Sequence, residues 1–167
     1  MTDNVCKEEV YRSLFFAHSE HLRNFLYYKS GNLSLAEDLV QDAFSKLWEK
    51  CASVSKEKAK SFLFTVANNL FLNKVEHQKI VLKFEKREHS EKDVQSPQFI
   101  MEENEFRKKL ENAISSLPED QRIVFLMNRI DKKKYREIAK ELGIGVKAVE
   151  KRMHKALVQL RKVHGDV

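Results

Sequence analysis

Turn-forming residues and cysteine are scarce in this 167-residue sequence. It contains four Gly and two Pro, which leaves few positions for the turns of a many-stranded sheet. Its two cysteines, Cys6 and Cys51, are too few for a disulfide framework and have no CxxC spacing. We therefore expect packed thiols in a reducing cytosol, and an all-α protein of six to eight helices without a sheet.

Long apolar runs and catalytic motifs are also lacking. The N-terminus MTDNVCKEEVYRS has no apolar segment of the secretory type, and no run approaches the roughly 20 residues that span a bilayer. No Gly-rich phosphate loop, Ser/His/Asp set or metal-spaced carboxylate pair occurs, and His18 and His21 lack neighbouring zinc ligands. We expect a soluble, cytoplasmic protein that is not an enzyme and has no metal and no cofactor.

Positive charge is concentrated near the C-terminus. The whole chain has a formal net charge of +6. Residues 129–162 hold twelve Lys or Arg and four Asp or Glu, so this segment carries about +8 and the remainder is slightly acidic. This distribution favours a polyanionic partner bound by the C-terminal part of the chain.

Apolar residues recur at three- and four-residue steps in the first half of the chain, which predicts three helices. The first runs from Glu8 to Lys29 and stops at Gly31. The second runs from about Leu35 to Cys51 and exposes an acidic, polar face. Ser34 and Glu37 have the spacing of a capping box at its start. The third begins near Lys58.

Three asparagines interrupt the apolar third stretch, at Asn68, Asn69 and Asn73. Because an asparagine side chain competes for backbone hydrogen bonds, the cluster predicts a break or loop there. Phenylalanines Phe62, Phe64 and Phe71 could stack on unpaired bases, but their dense apolar neighbours favour core packing.

A charged segment divides the chain. Residues 85–103 lose apolar periodicity and contain Pro97, which is typical of a linker between two domains, with an exposed helix as the alternative. We therefore predict two small helical domains, at residues 8–84 and 104–163. In the second domain, Pro118 and Glu119 are expected to open a helix.

The stretch YREIAKELGIGVKAVEKRMHKALVQLR contains two helical runs interrupted at residues 143–145. It is typical of a helix-turn-helix whose second helix enters the major groove. Lys132 to Lys134 are expected to bind phosphates, as is Lys155. A hairpin with a solvated lysine face is the alternative, but turn length and helix order favour DNA binding. The outward face carries the candidate DNA-binding residues Lys147, Ala148, Lys151, Arg152 and Lys155. Of these, Lys147, Lys151 and Arg152 lie near the end of the helix that is expected to meet base edges.

Two sets of motifs resemble one family. LPEDQRIVFLMNRIDKKKYREIAKELGIGVKAVEKRMHKALVQLRK is similar to region 4 of the extracytoplasmic-function group of sigma-70-family RNA polymerase sigma factors. SLAEDLVQDAFSKLWEK resembles region 2.2 of that family, and SFLFTVANNLFLN resembles regions 2.3 and 2.4. The resemblance covers about residues 8–163 in family order, and it implies an alternative sigma factor with no catalysis of its own.

The resemblance also implies partners and roles. The partners are core RNA polymerase, promoter DNA and an inhibitory anti-sigma factor, often membrane-tethered. Region 2.2 docks on the clamp coiled coil of the polymerase, which suggests Asp38, Gln41 and Asp42 as contacts. A base flipped from the −10 element would be captured near the polar cluster, where Asn69 fits the family's usual asparagine best. The candidate residues for this strand are Asn68, Asn69, Asn73 and Lys74.

The chain departs from the family pattern at two places. Where the family often has an Asp followed by two arginines, this chain has Asn73, Glu76 and His77. In region 4, Lys132 to Lys134 replace a glycine-leucine-serine turn. The −35 element is still expected to be bound by region 4. Two other functions remain open: a helix-turn-helix regulator that acts independently of core polymerase, and a helical adaptor without nucleic acid.

Overall fold

A computed structural model describes the backbone of residues 4–74 and 97–164, and the side chains of residues 4–74 and 103–163. These ranges contain helices and no strand, which confirms the predicted all-α class. None of the described helices is both long and apolar enough to cross a membrane. The helices are α1 (Glu8–Ser30), α2 (Leu33–Glu49), α3 (Lys56–Lys74), α4 (Pro97–Ser116), α5 (Glu119–Arg129), α6 (Tyr135–Leu142) and α7 (Val146–His164).

The turn between α1 and α2 is built differently from the prediction. Gly31 ends α1 as expected, in the left-handed region at φ 66, and its N–H donates to the carbonyl of Tyr27. The residue that caps α2 is Asn32, whose side-chain oxygen accepts from the N–H of Leu35 at 3.0 Å. The predicted capping box of Ser34 is therefore wrong, because α2 begins at Leu33 with Asn32 as its N-cap, which places Ser34 inside the first turn.

Helices α1, α2 and α3 form the N-terminal half by packing pairwise against one another. Their shared core is closed, because its leucines are fully buried and its phenylalanines are no more than 5% exposed. Phe64 and Phe71 are 4% and 3% exposed, so the preference for core packing over base stacking is confirmed for these two rings. The fully buried leucines of this core are Leu22, Leu26, Leu39, Leu47 and Leu63.

Helix α3 is continuous from Lys56 to Lys74, so the predicted break at its asparagines is wrong. Asn68 directs its side-chain oxygen to Lys29 and leaves the backbone hydrogen bonds of the helix intact. Ala67 and Phe71, on either side of it, are buried in the core. Tertiary burial of this face outweighs the low helix propensity of asparagine, which amounts to less than about 1 kcal/mol per residue.

Helices α4 to α7 form the C-terminal half, in which α7 packs on α4, α5 and α6. Helix α4 begins at Pro97, so the last part of the predicted linker is helical, while its first part lies outside the described residues. Pro118 is extended and directly precedes α5, as predicted. Val124, Met127 and Ile138 have no exposed surface and anchor the core of this half.

The two halves also contact each other, mainly through α1 and α5. Arg122 of α5 is 3% exposed and reaches the C-terminal end of α1. Its Nε donates to the carbonyl of Tyr28 at 2.9 Å, and its Nη2 donates to the carbonyl of Lys29 at 3.3 Å. Asp131 Oδ1 accepts from Tyr28 at 2.7 Å and from Asn24 at 3.0 Å. Polar side chains thus hold the halves together.

The two cysteines form a disulfide, which corrects the expectation of packed thiols. Cys6 and Cys51 have Cα atoms 5.0 Å apart and are joined across a sequence separation of 45. Two neighbouring features hold the N-terminal segment in place: an isolated bridge between Asn4 and Ser55, and Val5, which is fully buried. Sequence spacing alone did not indicate this pairing, because the contact depends on how α1 and α2 pack.

Candidate nucleic-acid and polymerase interfaces

Helix α7 has one buried and one exposed face, as its sequence predicts. Val149 and Met153 are 0% and 2% exposed and face the core of the C-terminal half. Lys147, Lys151 and Lys155 are exposed, and Ala148 is half-buried beside them. Since lysine ammonium groups carry three donors and no acceptor, this face can bind phosphates or the acceptor edges of bases in a groove.

A tight turn sets the direction of α7 relative to α6. Gly143 adopts φ 66, and its N–H donates to the carbonyl of Ala139. Ile144 also donates to Ala139, at 3.0 Å, and Ala148 donates to Gly145 at 3.0 Å. The helix–turn–helix geometry therefore rests on backbone hydrogen bonds that close α6 and begin α7.

Arg152 differs from the three lysines on α7. Its side chain is 32% exposed, and its Nε lies 3.4 Å from Asp120 Oδ2 of α5. This ion pair lies within the C-terminal half and occupies the guanidinium. A DNA contact by Arg152 would have to use its Nη groups or compete with Asp120 for the guanidinium.

Lys133 does not lie where the lysine run suggested. It is 7% exposed, and its Nζ donates to Glu141 Oε2 at 2.6 Å. Lys60 of α3 approaches Glu141 Oε1 at 2.7 Å. Burial alone would raise the pKa of Glu141, but the hydrogen bonds and charges of Lys133 and Lys60 lower it overall. The expectation that Lys133 binds phosphate is therefore wrong for this conformation, while Lys132 and Lys134 are exposed.

The asparagine cluster lies along the second half of α3. Asn68 is half-buried, and its Oδ1 accepts a hydrogen bond from Lys29 Nζ at 2.7 Å. Asn69 and Asn73 are exposed on the same helix. Lys74, also exposed, lies 3.3 Å from Asp42 of α2. The candidate side chains for a melted strand are thus on one helix, and two of them, Asn68 and Lys74, are each bonded to a side chain of another helix.

The proposed polymerase-binding residues lie on the exposed side of α2. Asp38, Gln41 and Asp42 are all exposed, while Leu39 and Ala43 point into the core with no exposed surface. Asp42 is paired with Lys74, so two residues assigned to different partners by sequence lie side by side. Among the described contacts, Asp38 and Gln41 form no ion pair or hydrogen bond with the residues of the asparagine cluster.

A cleft of about 500 Å³ lies between the halves and includes residues that the sequence did not single out. Asn68 and Phe64 line it from α3, and Ile144 and Arg152 line it from the helix-turn-helix. Lys29 lies among them, at the end of the run FLYYKSG. Its position in an otherwise apolar stripe was the sequence signal that Lys29 is buried and needs partners for its charge.

Family models match both halves of the chain. Sigma-70 region 2 matches residues 14–80, and Sigma-70, region 4 matches residues 107–160. The ECF RNA polymerase sigma factor SigE of Mycolicibacterium smegmatis is 26% identical over 147 residues, which are 86% of this chain and 57% of SigE. The RNA polymerase sigma factor YlaC of Bacillus subtilis is 24% identical over 93% of this chain and 90% of YlaC. The RNA polymerase sigma factor CarQ of Myxococcus xanthus is 25% identical over 96% of this chain and 92% of CarQ.

Two solved structures have a similar fold. The sigma factor RpoE, in complex with the anti-sigma factor NepR from Bartonella quintana, superposes with a TM-score of 0.62 and 21% identity. The alignment covers 92% of this chain and 96% of that one. CnrH, in complex with the cytosolic domain of CnrY, gives a TM-score of 0.64 at 18% identity, with 98% and 93% covered. At these identities the similarity concerns the fold.

Proposed function

Because this chain belongs to the extracytoplasmic-function group of the sigma-70 family of RNA polymerase sigma factors, we propose that it is an alternative sigma factor. It would bind core polymerase and direct transcription initiation at its own promoters. Members of this family are initiation factors rather than enzymes. One observation carries the proposal: matches to regions 2 and 4 occur in order on one chain.

The C-terminal unit is the proposed −35 reader. Its support is the exposed row of Lys147, Lys151 and Lys155 on α7, which follows a glycine-closed turn. In helix-turn-helix proteins the N-terminal part of the second helix faces the base edges. Lys147 and Lys151 would therefore face bases, and Lys155 would bind a phosphate. Ala148, half-buried between them, would provide an apolar contact.

The N-terminal unit is the proposed −10 reader and polymerase anchor. Asn68, Asn69 and Asn73 offer amides along one helix, and an amide can pair with a base edge of an unpaired strand. The exposed carboxylates of α2 support the second role, since Asp38 and Asp42 lie on the solvent-exposed face of that helix. We place the units at residues 8–84 and 104–163, with the first turns of α4, from Pro97, extending the second unit into the segment 85–103 between them.

An inhibitory protein partner is part of the proposal. Its support is that the RpoE structure contains the anti-sigma factor NepR, and that the CnrH structure contains the cytosolic domain of a second protein, CnrY. We propose that an anti-sigma factor, membrane-tethered or free, binds this chain in the cytoplasm, where core polymerase is available. Its expected effect is to block the polymerase-binding and DNA-binding faces until a stimulus releases it.

The decisive experiment uses core RNA polymerase with and without this protein on a library of promoter fragments. We expect co-migration of the protein with core polymerase and transcription from a subset of promoters with shared −10 and −35 sequences. Tight binding to a duplex operator by the protein alone, with polymerase unaffected, would instead indicate an independent regulator. Neither binding nor transcription would indicate a helical adaptor.

Two pairs of variants test the assigned faces. Asp38→Ala should weaken binding to core polymerase, while Glu49→Ala, an exposed acid at the end of the same helix, should not. Lys151→Ala should lower transcription about tenfold on promoters with a −35 element, and Lys162→Ala, further along α7, should change it little. On a template that lacks the −35 element, Lys151→Ala and the wild type should be equal.

A further inference from the structure

Lys29 has an environment that is unusual for a lysine. It occupies the last turn of α1, and its residue is only 6% exposed. Its Nζ lies 2.7 Å from Asn68 Oδ1 and 2.9 Å from Glu119 Oε1, and 5.0 Å from the centre of the Phe71 ring. Because a buried ammonium is costly unless it is paired, these partners must hold it firmly in one position.

This contact fixes the orientation of the Asn68 amide. An ammonium group has donors and no acceptor, so the Asn68 atom that faces Lys29 is the carbonyl oxygen. The amide nitrogen, Nδ2, must therefore point elsewhere. No residue in the described ranges accepts a hydrogen bond from Nδ2, and Asn68 lines the cleft. The side chain thus offers the two N–H donors of Nδ2, while one lone pair of its oxygen is engaged by Lys29.

We propose that Lys29 is a positioning residue that sets which base Asn68 accepts, an inference that rests on the proposed function. A free asparagine amide pairs with adenine by donating to N7 and accepting from N6. Because Lys29 turns the oxygen towards itself, Asn68 presents the two N–H donors of Nδ2 and favours a base edge made of acceptors, such as O6 and N7 of guanine or O2 and N3 of cytosine. Lys29 thereby disfavours adenine at the captured position.

The arrangement should persist when the halves separate. Lys29 and Asn68 both belong to the N-terminal half, on α1 and α3, whereas Glu119 belongs to α5 of the C-terminal half. Separation would remove Glu119 and leave the Lys29–Asn68 hydrogen bond. The ammonium would then keep a positive charge beside Asn68, which suits an unpaired strand with its phosphates.

The test measures transcription by core polymerase on four templates that differ only in the base at the −10 position to which the wild type is most sensitive. We expect the wild type to disfavour adenine there. Lys29→Met should raise transcription from the adenine template about tenfold relative to the other templates. The reason is that the freed amide oxygen can then accept from adenine N6. Lys29→Arg, which keeps a donor towards Asn68, should retain the wild-type preference. Lys58→Met, at an exposed lysine of α3, is the matched control.

A second variant avoids the risk of unfolding. Asn68→Asp keeps an oxygen for Lys29 but presents another oxygen where Nδ2 was. Its preference should shift by about tenfold towards bases that offer an amino group, adenine N6 or cytosine N4. Thermal melting of each variant confirms that it is folded. An equal change on all four templates for both variants would refute the role of Lys29.

Two further outcomes separate this inference from the proposed function. If Asn68→Ala transcribes with the wild-type base preference, Asn68 does not contact the base and the role of Lys29 is refuted, while the sigma function stands. If the wild type drives no promoter-specific transcription with core polymerase, the proposed function fails and this inference fails with it. A wild-type preference for adenine at the tested position would also refute the inference alone.

Discussion

Individual buried polar and charged side chains join the two halves. Arg122 meets four carbonyl oxygens, among them Leu117 at 3.0 Å and Tyr28 at 2.9 Å. Burial lowers the pKa of Arg122, and burial with the hydrogen bond to Asp131 raises the pKa of Tyr28. These groups keep ordinary protonation states at neutral pH, so they act as fixed hydrogen-bonding partners rather than as titrating switches.

Glu141 is the residue whose removal should be most costly among the described ion pairs. Its side chain is 4% exposed and is bound by Lys133 and Lys60. Glu141→Gln would leave buried Lys133 without its counter-charge, which should lower the free energy of unfolding by about 3 kcal/mol. Glu8→Gln, which breaks an exposed pair with Arg12, should cost no more than about 0.5 kcal/mol. Urea unfolding of both variants measures the difference.

The same residue predicts a dependence on pH. Because the pKa of Glu141 is lower in the folded state, its contribution is complete above the unfolded value of about 4.3 and is lost as pH falls through the folded value. Glu141→Gln should therefore lose less stability than the wild type when the protein is acidified below that range. Parallel losses in the two proteins would contradict the assigned pairing.

At the scale of elements, the turn between α6 and α7 depends on one left-handed residue. Gly143 has φ 66, and a Cβ there would meet no atom within 4 Å, so substitution is strained by backbone conformation alone. Gly143→Ala should lower the unfolding free energy by about 1 kcal/mol. Gly145→Ala, also with open space but without a positive φ, is the matched control and should change it by less than about 0.5 kcal/mol. Equal stability of the two variants would contradict this account.

The disulfide is an element-level cross-link between the segment before α1 and the end of α2. In the chain-entropy view, a bond that closes a loop of this length (45 residues) stabilises the fold by about 4 kcal/mol. Addition of a thiol reductant should therefore lower the melting temperature of the wild type. The double variant with Cys6→Ser and Cys51→Ser should melt at the reduced temperature under both conditions, and an oxidised wild type with no higher melting temperature would argue against the bond.

The elements show what could be predicted and what could not. Apolar periodicity predicted α1, α2 and the helix-turn-helix, because burial of one face decides a helix of that length. The continuity of α3 was missed because Lys29, thirty-nine residues earlier, accommodates Asn68. The positions of Lys133 and Arg122 depend on contacts across the chain, which local pattern does not contain. The exposure of candidates such as Lys147 and Asp38 was predictable, because the helical period of the apolar residues puts these two positions on the solvent side.

At the scale of the whole molecule, one proposed −10 residue and one residue of α7 line the same cleft between the halves. Asn68 of α3 and Arg152 of α7 both line it. A sigma factor that contacts −10 and −35 elements must reach two separate positions along the promoter, with duplex DNA at one of them. A cleft of about 500 Å³ is in the range of small-molecule pockets and cannot admit a duplex. We infer that the described arrangement is a closed form, in which the C-terminal half faces Asn68 across the cleft, and that capture of a melted strand at Asn68 requires the halves to separate.

Separation should depend on the polar contacts between the halves. Glu119→Ala with Asp131→Ala removes the partner of Lys29 and the acceptor shared by Tyr28 and Asn24. We expect this double variant to show a larger radius of gyration by small-angle X-ray scattering than the wild type. Asp120→Ala, which breaks the pair with Arg152 inside one half, is the control and should leave the radius unchanged.

The same variants connect this closed form to function. If the closed form competes with promoter binding, separation of the halves costs less free energy in the double variant. The double variant should therefore bind core polymerase and promoter more tightly than the wild type. Its melting temperature should fall at the same time, because contacts are lost. If the double variant is more extended but binds no more tightly, the closed form does not compete with promoter binding. The charged contacts then serve stability alone.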